Sequence, residues 1–370
     1  MSMSMSMSMS MSMSMSMSMS MSMSMSMSIR IESSCKLKDG SDDELLDDFA
    51  KKLSYSKEEV RVIHKCSSKM NGDILIEEVS SNKNEKIRRM RFTSNLHLEQ
   101  TEVRLLKRVN DSASKKQGDT RQSQFVADHE YVPYDCLRGM LVSFALLPSL
   151  KIEELPSANM RILIVGLAGG MLPRFVHSQL KGASLDCVEI DEAVRDAAEE
   201  FLGLVTDEKL KVHVADGLDF VKESDDHTYN LSIIDVNACD EDTTLEAPPR
   251  PFVEDGKRDR LFSRSLTMHP CRLRSPSFQK IFDRFLRFFD DVLYLKDHSP
   301  DADENYVVLL LNGPSSQWNF NVGSESAIVD RVEQLEKIFV AMRQFGLTGR
   351  TRRELKRHVR LLSPSSLKET

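Results

Sequence analysis

This sequence lacks long apolar runs, paired cysteines and any excess of basic charge, and each absence removes a class of protein. No stretch approaches the roughly 20 apolar residues that cross a bilayer, so a membrane protein is not expected. The N-terminus shows neither the basic nor the apolar region of a secretory signal. Lys and Arg number 50 against 57 Asp and Glu, a formal net charge of −7. Without a basic surplus there is no general footprint for nucleic acid. The six cysteines, Cys35, Cys66, Cys136, Cys187, Cys239 and Cys271, show no C-x-x-C spacing. They read as reduced thiols of a cytoplasmic protein, with metal ligation or a disulfide framework a poor second.

What is present falls into segments. Met1 to Ser28 is a pure Met-Ser repeat with 14 of the 21 methionines; it has no hydrophobic period and is expected to be disordered. From 29 to 108 the texture is β-prone: Ile74 to Val79 and Ile87 to Phe92 flank a polar turn, which predicts a hairpin, while Asp42 to Leu53 has helical spacing. Val109 to Gln124, small and charged, reads as a linker. Residues 125–314 form the main domain and 315–370 a C-terminal helical region. Leu137 to Leu147 is predicted to be a buried helix. Beyond it the chain alternates: strand 162–165, helix 171–180, strand 184–189, helix 192–202, strand 211–215, a short helix, and strand 231–234. Such alternation predicts an α/β fold, a doubly wound and mostly parallel sheet with a small β-rich N-terminal extension.

The chemistry gathers at the strand ends. In an open parallel sheet, ligands lie beyond the carboxyl ends of the strands. RILIVGLAGGMLP, Arg161 to Pro173, is a strand, a small-residue turn (Gly166, Ala168, Gly169, Gly170) and a helix start, suited to a ligand lying against bare backbone. The next three strand ends each carry an acid: Glu189 in CVEIDE, Asp216 with Gly217 in HVADGLDF, and Asp235 in SIIDVNACD. Glu189, 23 positions after Gly166, suits the two hydroxyls of a ribose. G-x-G-x-x-G would need glycine where Ala168 and Met171 stand, so pyrophosphate cradling is poorly supported. Asp216 suits an adenine amino group, and Asp235 a cationic sulfonium or an amine. The blander readings are a tight βα turn and helix N-caps at Glu189 and Asp216; in the acidic loop Asp240 or Asp242 competes with Asp235. His129, Tyr131 and Tyr134, ahead of the first core helix, suit substrate contact or helix-entry packing equally. His177 and His213 read as ordinary structural residues, and the basic run Gly349 to Arg360 as a solvated helical face.

These motifs resemble the class I S-adenosylmethionine-dependent methyltransferases, within them the spermidine-synthase-like branch, and within that the C-terminal domain of the elongation-factor-1-alpha lysine and N-terminus methyltransferases. VGLAGGMLPRFVH, VEIDEAV, KVHVADGLDF and IIDVNACDEDTTLEAPPRPFV carry the resemblance, with SNLHLEQTEVRL and DHEYVPYDCLRGML upstream. It implies a seven-stranded sheet, S-adenosyl-L-methionine as cofactor, and a protein lysine or N-terminal amine as acceptor, such as one on a translation elongation factor. By position, Gly166, Ala168, Gly169 and Gly170 would face the methionine part, Glu189 the ribose with Ile190 beside it, Asp216 and Gly217 the adenine, and Asp235 the reaction site with Asp240. Gln100 would border the cofactor.

The pattern breaks at 255–276, where EDGKRDRLFSRSLTMHPCRLRSPSFQK offers no apolar fifth strand; an altered segment replacing that strand is the expectation. Two other functions compete. An aminopropyltransferase would use the same fold and a decarboxylated relative of the cofactor, but the Asp235 and Asp240 spacing departs from that branch's D-S-S-D loop. A non-catalytic methyltransferase-like binding module would tolerate loss of the strand.

Overall fold

The computed structural model describes residues 59–80, 86–108, 125–225, 228–236, 249, 251–252, 265–268, 281, 283, 285–287, 289–296, 306–311, 320–321, 324–339 and 359–362. The Met-Ser repeat, the expected helix at 42–53, the linker at 109–124, Asp240 and Asp242 lie outside these residues. The chain divides into two compact units. The first, 1–57 with 298–303, lies wholly outside the described residues, and the second contains all that follows.

The N-terminal part of this unit is an antiparallel meander, β1 (Glu59–Ser68), β2 (Gly72–Ser80), β3 (Lys86–Phe92), β4 (Asn95–Lys107) and β5 (Phe125–Ala127), in that spatial order. The expected hairpin is β2–β3, paired from Ile74 opposite Phe92 to Ser80 opposite Lys86. Alternation explains the strands: Ile74, Ile76, Met90, Val103 and Leu105 share one buried cluster. The basic IRRMRF run is compatible with a strand because its charges pair across the ladder: Arg89 meets Glu99 at 2.7 Å and Arg91 meets Glu99 at 2.8 Å. The short β5, past the expected linker, closes this sheet rather than opening the next.

The second sheet holds β6 (Arg161–Val165), β7 (Ser184–Glu189), β8 (Leu210–Val214), β9 (Leu231–Ile234), β10 (Ser265–Met268), β11 (Asp291–Lys296), β12 (Tyr306–Leu311) and β13 (Val359–Leu362), in the order β13-β11-β12-β10-β9-β6-β7-β8. Pairing is parallel from β10 through β9, β6 and β7 to β8, and antiparallel among β10, β12, β11 and β13. The helices with described bounds are α1 (Asp135–Leu141), α2 (Met171–Gln179), α3 (Glu192–Phe201), α4 (Gly217–Glu223) and α5 (Glu325–Ile338). This is the expected α/β architecture. Both sheet faces are apolar: Ile162 and Ile164 enter one core with Phe144, Phe175 and Phe339, while Leu163 and Val165 enter another with Phe285 and Phe289.

Four expectations change. Among the described residues the sheet has eight strands, not seven, because β13 adds an edge beside β11. A fifth strand does exist in the doubtful segment: β10, sequence SLTM, pairs in parallel with β9 and antiparallel with β12. Its backbone ladder, not a local apolar run, defines it, which is why hydrophobic patterning missed it. The C-terminal region is not all helical, since α5 is followed by β13, which takes in Val359 and Arg360 from the end of the basic run. The helix expected at 137–147 is α1 followed by a tighter 3-10 turn, Val142–Leu146. No helix among the described residues is long and apolar enough to cross a membrane.

Phe339 tests the larger core. It is fully buried, edge-on to Phe144 at 5.7 Å and to Phe175 at 5.4 Å between ring centroids. Phe339→Ala is expected to lower unfolding free energy by about 3–5 kcal/mol in urea titration; an unchanged midpoint would show that the site is not packed as described.

Candidate functional site

The glycine turn is built by close backbone approach. At the end of β6 the chain enters Gly166 with φ +92°, and its N–H donates to the Val188 carbonyl at 2.9 Å. A Cβ at Gly166 would lie 2.0 Å from the Asp235 carbonyl oxygen, so only glycine fits beside the end of β9. Asp235 is itself held by its N–H, which donates to the Val165 carbonyl at 2.8 Å. Ala168 takes φ +47°, in the left-handed region that non-glycine residues seldom occupy. Gly170, φ +71°, starts α2. At Gly169 a Cβ would lie 2.1 Å from the Thr101 methyl, which brings β4 of the first sheet against the turn.

That approach locates Gln100. The β3–β4 register steps from Met90 opposite Thr101 to Arg91 opposite Glu99, leaving Gln100 as the extra residue of a β-bulge. Bulges bend a strand and re-aim a side chain, often beside functional sites.

Glu189 ends β7 and is 9% exposed. The N–H of Leu167 donates to its Oε2 at 3.0 Å and the N–H of Asp191 to its Oε1 at 3.0 Å. Burial pushes the Glu189 carboxyl above the ordinary glutamate range, and these backbone N–H groups act in the opposite direction. Each oxygen takes one of these donors and keeps further acceptor capacity. The next residue, Ile190, is 48% exposed, a large apolar side chain left uncovered between two buried acids, Glu189 and Asp191.

Asp216 is exposed and caps α4, its Oδ1 accepting from the N–H of Leu218 at 2.7 Å and of Asp219 at 3.3 Å. The N-cap reading of Asp216 therefore holds as a structural fact, whatever ligand it also meets. Gly217, buried, leaves no room for a Cβ, which would come 2.3 Å from Val165. Asp235 is half-buried. Gly166, Ala168, Glu189 and Asp235 are thus joined around one turn, while Asp216 and Gly217 end the neighbouring β8 connection; Asp240 lies outside the described residues.

The aromatic candidates separate. Tyr131 donates to Glu102 Oε1 at 2.6 Å and lies under the Arg104 guanidinium, so it serves packing between β4 and the entry to α1. His129 is exposed. Tyr134 immediately precedes α1; its hydroxyl is buried without a hydrogen-bond partner among the described residues, and burial raises its pKa. His213 bonds Asp186 at 2.9 Å, on β8 and β7, as a strand residue should. Two residues of the site were missed. Thr101 carries no local signal. Asp191 does carry one, an acid directly before a helical run, and it caps α3 through the N–H of Ala193 at 3.0 Å.

No protein-family model matches the chain. Over 213 residues, 52% of this chain, it is 35% identical to the eEF1A lysine and N-terminal methyltransferase of Homo sapiens. Over 205 residues it is 31% identical to the protein of that name in Xenopus laevis. The chain spans about 30% of the length of the human relative and 29% of the Xenopus one. The resemblance read from the motifs is borne out. A crystal structure of a probable spermidine synthase from Corynebacterium glutamicum shares the fold, with a TM-score of 0.54 at 11% identity, covering 84% of this chain and 93% of that one.

Two measurements test the geometry. Gly166→Ala combines a positive φ with a blocked Cβ, so it is expected to cost more than about 2 kcal/mol in urea unfolding; a neutral substitution would refute the close approach. For Glu189 the folded-state pKa is raised, so its ionised form weakens the fold. That penalty is absent below the unfolded pKa, grows as pH rises through it and is complete above the folded pKa. Wild type should therefore lose stability relative to Glu189→Gln as pH rises from about 4 to 7; parallel profiles would show that Glu189 is not desolvated.

Proposed function

We propose that this chain is an S-adenosylmethionine-dependent methyltransferase acting on a protein lysine or N-terminal amine. The observation that carries the reading is the buried Glu189 carboxylate at the end of β7, which accepts the Leu167 N–H of the glycine turn, within a segment 35% identical to a protein methyltransferase. The doubly wound arrangement of the sheet belongs to the same reading, supported by apolar packing on both faces. The relatives' name points to a translation elongation factor as acceptor, and the reduced thiols and acidic balance fit a cytoplasmic protein that binds no nucleic acid.

The residues fit such a cofactor. Gly166, Gly169 and Gly170 pack against Asp235, Thr101 and Leu204 and so fix the course of the turn, Glu189 retains acceptor capacity for ribose hydroxyls, and Ile190 supplies an uncovered apolar side chain for the adenine ring. Asp216 and Gly217 would border the adenine edge, and the bulged Gln100 would close the site from β4. When bound, the cofactor supplies a methyl group already activated by the sulfonium. The protein then has to hold a neutral amine in line with it and exclude water. In this reading Asp235 would accept a hydrogen bond from that amine and orient its lone pair, with Asp240 as the second acid; the backbone bond that ties Asp235 to Val165 supports it.

A second reading, polyamine aminopropyltransferase, is favoured by the fold shared with the probable spermidine synthase. Calorimetric titration of S-adenosylmethionine into the full chain, with a Glu189→Ala/Asp216→Ala control, is expected to give saturable binding that the control loses. Labelled methyl transfer to an elongation factor preparation should follow. Absence of binding by folded protein sinks the reading, and turnover of decarboxylated cofactor with a polyamine would replace it with the second.

A further inference from the structure

Asp191 does more than cap a helix. It is 6% exposed and lies where the two sheets meet. Oδ2 accepts from Asn71 Nδ2 at 2.8 Å and from the Ser68 hydroxyl, both at the β1–β2 turn. Oδ1 accepts from the Ala193 N–H of α3, and its own N–H donates to Glu189 Oε1. Glu189 Oε2 in turn accepts from Leu167, inside the glycine turn. The chain of bonds therefore runs from the first sheet, through two buried carboxylates one residue apart on either side of Ile190, to the turn itself.

Further contacts hold the two sides of this junction together. The Ser68 hydroxyl also accepts from the N–H groups of Met70 and Asn71, both at 2.9 Å, which sets the turn that presents Asn71. At the other end of α3 His64 stacks on Phe201 at 4.3 Å, and Arg88 donates to the Phe201 carbonyl at 3.1 Å. The first sheet is thus docked on both ends of α3. A shift of the β1–β2 turn would pull on the Asp191 backbone, whose N–H is one of the backbone groups orienting Glu189.

We infer that Asp191 is a positioning residue through which docking of the N-terminal sheet orients Glu189 and so sets cofactor affinity. The affinity arm rests on the cofactor reading above; the coupling from Asn71 to Leu167 does not. An energetic coupling of ordinary size changes affinity about fivefold or more.

The test compares full-length wild type, Asp191→Asn and Asn71→Ala. Asparagine keeps the N-cap of α3 but sets an amide donor against the Asn71 amide. Asn71→Ala removes one strut while leaving every proposed cofactor contact in place. Both variants are expected to weaken S-adenosylmethionine binding about fivefold or more by calorimetry, and to raise the cofactor KM while sparing kcat. Amide hydrogen exchange at Leu167 should quicken in both, with the exchange of β6 unchanged, a local signature that general destabilisation would not produce. Wild-type affinity and wild-type Leu167 exchange in Asn71→Ala would overturn the inference. If wild type itself binds no cofactor, the cofactor reading fails, and Leu167 exchange alone decides the coupling.

Discussion

The approach of Gly166 to the Asp235 carbonyl is the constraint on which the carboxyl edge of the sheet depends. β6 and β9 are parallel neighbours, and both chains must leave the sheet at the same level. The carbonyl of one occupies the space a side chain of the other would need. With no Cβ there, the backbone can reverse at once, and Leu167, one residue on, comes within reach of Glu189 on the other side of β6. Glycine at this position therefore sets three strand ends relative to one another, not only a turn.

Glu189 shows how the same arrangement balances a cost. A carboxylate removed from water is unfavourable unless charge-assisted hydrogen bonds replace hydration. Here they come from backbone N–H groups, which belong to the connections that follow β6 and β7. The acid thus fastens the loops while keeping acceptor capacity outward. A lysine or arginine partner would have neutralised it and closed the site.

Much of this was legible in the sequence because it is local. The strand from Arg161 to Val165, the turn and the α2 helix show in the spacing of apolar and small residues, and the acids after β7, β8 and β9 follow from counting to each strand end. What was not legible is what depends on partners distant in sequence. Asp191 reads as a helix cap, but its bonds to Ser68 and Asn71 span more than a hundred residues. The bulge at Gln100 is a property of the pairing with β3, not of β4 alone. The β10 and β13 strands exist because neighbouring ladders offer them hydrogen bonds, and neither the basic segment around SLTM nor the arginine-rich tail announces it.

The narrowness of β10 has a structural consequence. Among the described residues, the four of β10 carry the backbone pairing between the parallel half of the sheet and its antiparallel half. Side chains span the same gap independently: Ile162 shares a cluster with Leu309, and Val165 shares another with Val308. The halves are laminated from both faces rather than stitched along the middle, so the central strand can be short and chemically undistinguished.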